Sequence, residues 1–168
     1  WIEEYKATNI ASFVQGKNKG DEHFIVLAHY DHLGMIGQGN IFTGANDNAS
    51  GVAALLSLAA RLKDVPLKNG IIFVAYANEE APFFQTDEMG SRQHARRIVK
   101  ELGKENIMGM FTTESMGIYS PRSNKKRRTA VAGSLVGILD RCDYVAFMST
   151  FSGKEYSRSC AETFASVS

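Results

Sequence analysis

The sequence predicts an α/β protein, a three-layer α/β/α sandwich built on a mostly parallel, mixed sheet, and three observations carry that reading. Residues 24–28 (Phe-Ile-Val-Leu-Ala) and 71–77 (Ile-Ile-Phe-Val-Ala-Tyr-Ala) are continuous apolar runs, the pattern of strands buried on both faces. Between them Val52, Leu55, Leu56, Ala59 and Leu62 recur at helical spacing. Strand and helix signals then alternate along the chain, as parallel strands joined by crossover helices require.

Taken in order, residues 7–14 have loose β character and run into the turn cluster Gly16-Lys17-Asn18-Lys19-Gly20. This predicts a hairpin into the first buried strand and an antiparallel sheet edge. That strand delivers His29. Gly34, Gly37 and Gly39 suggest a flexible loop up to Gly44, after which Ser50 is placed to cap the first helix. Arg61 and Lys63 suit that helix's negative end, and Pro66 stops it. The second buried strand ends on Asn78-Glu79-Glu80. Gly90-Ser91 opens a second helix through His94, Ile98 and Leu102, and residues 107–113 form a third strand leading into Glu114. Residues 144–148 read as a fourth strand and 154–165 as a last helix. Neither an internal repeat nor a second domain is evident, so 1–168 reads as a single domain.

At 168 residues with 44% hydrophobic content, the chain can bury a sizeable core. Nineteen basic against eighteen acidic residues leave a formal charge of +1, which gives no global reason to expect nucleic acid or an anionic membrane as partner. The basic run Lys125-Lys126-Arg127-Arg128 is short and lies in a turn-rich segment, as a solvated loop does. Cys142 and Cys160 have the spacing of neither a zinc ribbon nor a redox pair. No stretch approaches a membrane span, and Trp1-Ile2-Glu3-Glu4 is not a signal peptide.

The chemistry-bearing residues fall at strand ends, where open α/β sheets bind their ligands. His29, Asp47, Glu80 and Glu114 supply one imidazole and three carboxylates, a donor set that zinc accepts readily. Asp31, two residues after His29, is expected to support the imidazole from behind. Glu79 and Glu80 are adjacent and cannot face one point with the same geometry. One can ligate while the other serves as general base toward a water activated at the metal.

Four phrases resemble the co-catalytic zinc aminopeptidases of peptidase family M28: Ala28-His29-Tyr30-Asp31, Gly44-Ala45-Asn46-Asp47-Asn48-Ala49-Ser50-Gly51, residues 73–80 (Phe-Val-Ala-Tyr-Ala-Asn-Glu-Glu), and Gly90-Ser91. Order and spacing match from about Asn9 to the end of the chain. The resemblance implies that His29 binds a first zinc, Asp47 bridges two, Glu80 binds the second, and Glu79 is the general base. Asp31 resembles the family's supporting carboxylate. The implied activity is hydrolysis of the N-terminal peptide bond of peptides, and the family leans toward secreted or periplasmic proteins.

Glu114 stands where most of the family carries Asp as a ligand of the first zinc. Its extra methylene moves the carboxylate by roughly 1.5 Å. The segments Gly117-Ile118-Tyr119-Ser120 and 143–147 resemble a bacterial branch with Glu at this place. The family's further His ligand of the second zinc has no counterpart: His23 lies about 20 Å from His29 along its strand, His94 sits in a helix, and His32 follows His29 too closely. The expectation is a chain that stops short of the full catalytic domain, holds one metal better than two, and is weakly active or inactive. Phe83-Phe84 could line an apolar pocket or pack as a loop. The rival readings are a one-zinc acyltransferase resembling glutaminyl cyclase and an inactive interaction domain resembling the transferrin receptor's peptidase-like ectodomain.

Overall fold

The structure, a computed structural model, describes residues 6–17, 22–37, 39–119 and 145–167. The chain divides into two compact units, one running to Gly117 and the other starting at Ile118.

The first unit is organised on a four-stranded sheet of order β1-β5-β2-β6, in which β1 is Ile10–Val14, β2 His23–His29, β5 Gly70–Tyr76 and β6 Ile107–Thr112. β2 pairs in parallel with both β5 and β6, which sends the carboxyl ends of all three strands to the same side. β2 and β5 are the apolar runs of the sequence, and burial on both faces is why they lack alternation, whereas β6 alternates half-buried and exposed residues. β1 supplies the expected antiparallel edge, with Ile10 opposite Ala75 and Val14 opposite Ile71.

The expected first hairpin is not formed. β1 lies against β5 because both flanks of β2 are taken by parallel partners, and the mostly exposed β1 suits an outer position. Lys17 N–H donating to Leu67 carbonyl at 2.7 Å fastens this crossing.

Helices cover both faces of the sheet, giving the three layers. α1 (Ala49–Leu62) packs Leu55, with Val52, Ala59 and Leu62 around it, onto Ala28 and Phe73. Leu56 points away and is exposed. α2 (Gly90–Leu102) lays Ile98 and Leu102 on Ile25, Ile72, Val74 and Tyr76. Burying a side chain such as Leu55 contributes about 1.5–3 kcal/mol.

Three further expectations are corrected. The glycine-rich loop contains a two-stranded hairpin, β3 (Gly34–Ile36) with β4 (Asn40–Phe42), whose turn uses the left-handed φ values of Gly37 and Gly39. The cap of α1 is Asn48, whose side chain accepts the Gly51 N–H at 3.1 Å, because Ser50 already lies inside the first turn. Among residues 145–148 there is no strand: Val145, Phe147 and Met148 are exposed and pair with no partner strand among the described residues, and an apolar run without a ladder does not hold β geometry. Tyr144, the basic run and Cys142 lie outside the described residues.

The second unit contains α3 (Lys154–Val167), two residues longer than expected, with the rings of Phe147 and Phe164 tilted against each other at 5.7 Å. No helix among the described residues is long and apolar enough to cross a membrane.

Candidate metal centre

His29 is the last residue of β2 and is 4% exposed. Its ring is set by the turn that follows: Nδ1 lies 3.1 Å from the Asp31 carbonyl oxygen and 3.6 Å from Oδ1 of the Asp31 side chain. An N–H on Nδ1 donated to that carbonyl leaves the Nε2 lone pair free, the tautomer a metal ligand needs. The sequence reading assigned this support to the Asp31 carboxylate, yet the carbonyl stands nearer. The carboxylate instead accepts two backbone amides, Glu79 N–H at 3.2 Å and Glu80 N–H at 3.0 Å.

Around Nε2 the chain collects carboxylates from three other elements. Asp47 Oδ1, just ahead of α1, is 3.2 Å away; Glu114 Oε1, beyond β6, 3.4 Å; and Glu79 Oε2, beyond β5, 3.9 Å. His29, Asp47 and Glu80 each offer a ligand atom, all within 4.8 Å of one another, a spacing that one ion could bridge. All six residues singled out from the sequence therefore meet at one end of the sheet.

Neighbouring polar groups fix this arrangement, and the sequence reading missed them. Asn48, 1% exposed, donates from Nδ2 to the Thr113 carbonyl at 2.9 Å and to Glu114 Oε2 at 3.1 Å. Its Oδ1 accepts from Gly51 and from Ser115 N–H at 3.2 Å. Asn46 Oδ1 accepts the Gly117 N–H at 2.8 Å, and Ser50 Oγ accepts that of Met116 at 2.9 Å. The loop carrying Asp47 is thus sewn to the loop carrying Glu114. Gly51 makes that approach possible, since a Cβ there would stand 2.2 Å from the Thr113 oxygen. The signal for Asn48 was its position before the first helical residue, where Asn is a preferred cap.

The electrostatics are those of several carboxylates crowded around one imidazole. Burial and then neighbouring carboxylates raise Asp47, Glu79 and Glu80 above the usual carboxylate range, and His29 offsets this only in part. For His29, burial disfavours the charged form, but its hydrogen bond to Glu114 and the charges of Glu114, Glu79 and Asp31 outweigh it and push the imidazole up to about 9. A divalent cation would relieve this repulsion, so the donor set fits one. Nitrogen and oxygen donors without thiolate suit zinc, and also manganese or cobalt.

The other histidines stand apart. His23 packs on Phe13 with centroids 5.2 Å apart, His94 Nδ1 meets the Tyr76 hydroxyl at 2.7 Å, and His32 Nδ1 lies 2.8 Å from the Phe42 carbonyl oxygen. A cavity of about 340 Å³ is lined by His29, Glu79 and Glu114 of the cluster together with the apolar side chains of Leu27, Met89 and Met110. Phe83 and Phe84 take no part in it, and Phe84 is exposed.

The sequence model of peptidase family M28 matches residues 9–154. The chain belongs to peptidase family M28. Among its relatives, YfbL of Escherichia coli (strain K12), an uncharacterized protein, is 39% identical over 73% of this chain and 36% of its own length. The alkaline phosphatase isozyme conversion protein of the same organism is 35% identical over 70% of this chain and 39% of its own length. Aminopeptidase YwaD of Bacillus subtilis (strain 168) is 38% identical over 43% of this chain and 15% of its own length. The chain spans less than two fifths of the length of these relatives.

Proposed function

We propose that this M28 chain is part of a single peptidase catalytic domain, spanning 1–168 here, of a zinc-dependent aminopeptidase that hydrolyses the N-terminal peptide bond of peptides. The observation that carries the reading is the convergence of His29, Asp47, Glu79, Glu80 and Glu114 at the carboxyl ends of three parallel strands. His29, Asp47, Glu80 and Glu114 would hold zinc. When bound, zinc supplies Lewis acidity that makes water more acidic and polarises a carbonyl.

The remaining work falls to the chain. Glu79 lies at the edge of the cluster, facing the cavity, and burial raises its proton affinity toward that of a working base. It takes the proton of the attacking water and returns it to the leaving amine, so the proton count closes within one turnover. Asp31 fixes Glu79 and Glu80 through their amides, so that base and ligand keep their relative positions.

The test is zinc content together with leucine-anilide hydrolysis, measured on a longer form of the chain extending past Ser168. Zinc-dependent release of the amine, abolished by chelation, is the expected result. Zinc retention with cyclisation of N-terminal glutamine would overturn it in favour of the acyltransferase, and binding without turnover in favour of an interaction domain.

A further inference from the structure

The cluster's least usual member is Glu114, a long side chain that must be aimed. Its Oε1 faces His29 Nε2 at 3.4 Å, and its Oε2 receives a hydrogen bond from Asn48 Nδ2 at 3.1 Å. Ser115 Oγ adds a marginal contact at 3.5 Å, the Asp47 carboxyl lies against it from the facing loop, and the side chain is about half exposed. A half-exposed glutamate has two free rotors beyond Cβ and loses rotamer entropy when ordered.

Asn48 has no such freedom. It is buried, and both ends of its carboxamide are committed: Oδ1 to Gly51 N–H and Ser115 N–H, Nδ2 to Thr113 carbonyl and Glu114. The acceptor pair fixes which way the amide points, so that its donor end must face Glu114. Asn48 also follows Asp47 directly and caps α1, which links the aim of Glu114 to the loop that presents Asp47.

We infer that Asn48 is a positioning residue for the metal centre, orienting Glu114 so that one carboxylate oxygen is held by the Asn48 amide and the other is presented to the cation beside His29. The inference rests on the proposed reading of the cluster as a metal site, and it concerns a residue that itself ligates nothing.

The experiment is a double-mutant cycle on zinc affinity, read by competition with a chromophoric chelator using the whole chain. Asn48→Ser keeps a capping oxygen for Gly51 but reaches neither Glu114 nor Thr113. It should weaken zinc binding about 10-fold or more, the usual cost of losing a group that orients a ligand. In a Glu114→Gln background the same change should alter affinity less than about 2-fold, because the carboxylate it aims is gone. An equal loss in both backgrounds would show that Asn48 acts through the helix cap or through Asp47, and would overturn the assignment.

Asn48→Thr, bulkier with the same capping oxygen, serves if the serine variant does not fold, and the cycle reads identically. If the unmodified chain binds no zinc, the metal-site reading and this inference fall together. If it binds zinc but the cycle is additive, only this inference falls.

Discussion

The carboxylate of Asp31 accepts the backbone N–H of Glu80 at 3.0 Å and, through its second oxygen, that of Glu79 at 3.2 Å. A residue two positions past the end of β2 thereby sets the path of the chain after β5. Asp31→Asn retains the shape but turns one oxygen into a donor facing an amide donor. Zinc affinity should fall about 10–100-fold, as measured by chelator competition. An unchanged dissociation constant would mean that the Glu79–Glu80 turn holds itself.

Glu79→Gln separates base from ligand. The variant should keep its metal content, measured by elemental analysis, while turnover by a longer, active form of the chain falls about 10²–10⁴-fold. Undiminished turnover would remove Glu79 from the base role.

Metal binding should expel a proton. With His29 pushed up to about 9 by the surrounding carboxylates, the metal-free imidazole is protonated at neutral pH, and a cation at Nε2 must displace that proton. Affinity should therefore weaken as pH falls from about 9. Calorimetric titration with zinc in two buffers of different ionisation enthalpy should reveal about one proton released per ion at pH 7. Native mass spectrometry should show one tightly held ion, since His23, His32 and His94 lie outside the cluster.

Tyr76 and His94 predict a second pH effect, away from the cluster. His94 is held below its ordinary value, first by burial and then by the nearby charge of Arg97, and its Nδ1 lies 2.7 Å from the Tyr76 hydroxyl. A depressed folded-state value means that the unfolded chain binds the proton more readily. The stabilisation is thus fully present above about 6.5 and is lost as pH falls below it. The thermal midpoint should drop more steeply between pH 7.5 and 5.5 in the unmodified chain than in His94→Gln, and parallel curves would exclude this pair.

Gly51→Ala tests the close approach of α1 to the end of β6. The added Cβ would meet the Thr113 oxygen and Asn48 Oδ1, each at 2.2 Å, and neither can retreat without breaking the contacts that aim Glu114. A loss of about 1–3 kcal/mol in chemical denaturation is expected, accompanied by weaker zinc binding. A neutral outcome would show that the two loops separate freely.

How much of this was legible depended on whether the signal was local. The buried runs 24–28 and 71–77 and the Val52–Leu55–Ala59–Leu62 face were readable because burial on both sides, or on one stripe, leaves its period in the chain. Sheet order was not readable. The turn cluster after Val14 implied adjacency of β1 and β2, and only competition among strands for the flanks of β2 sent β1 to β5. The β3–β4 hairpin was hidden because its glycines signal turns and loops alike. Residues 145–148 carried strand composition without a partner strand among the described residues.

By itself, the sequence determined which side chains are the candidates for the proposed metal chemistry of this M28 chain, because a metal site demands particular donors and those donors fell at strand ends. Tertiary structure alone decided how they are held. The Asp31 carboxylate bridges 48 and 49 positions to Glu79 and Glu80, and the Asn48 amide bridges 66 to Glu114. No local pattern encodes such bonds: a hydrogen bond between distant residues exists only once parallel strands have brought their carboxyl ends together.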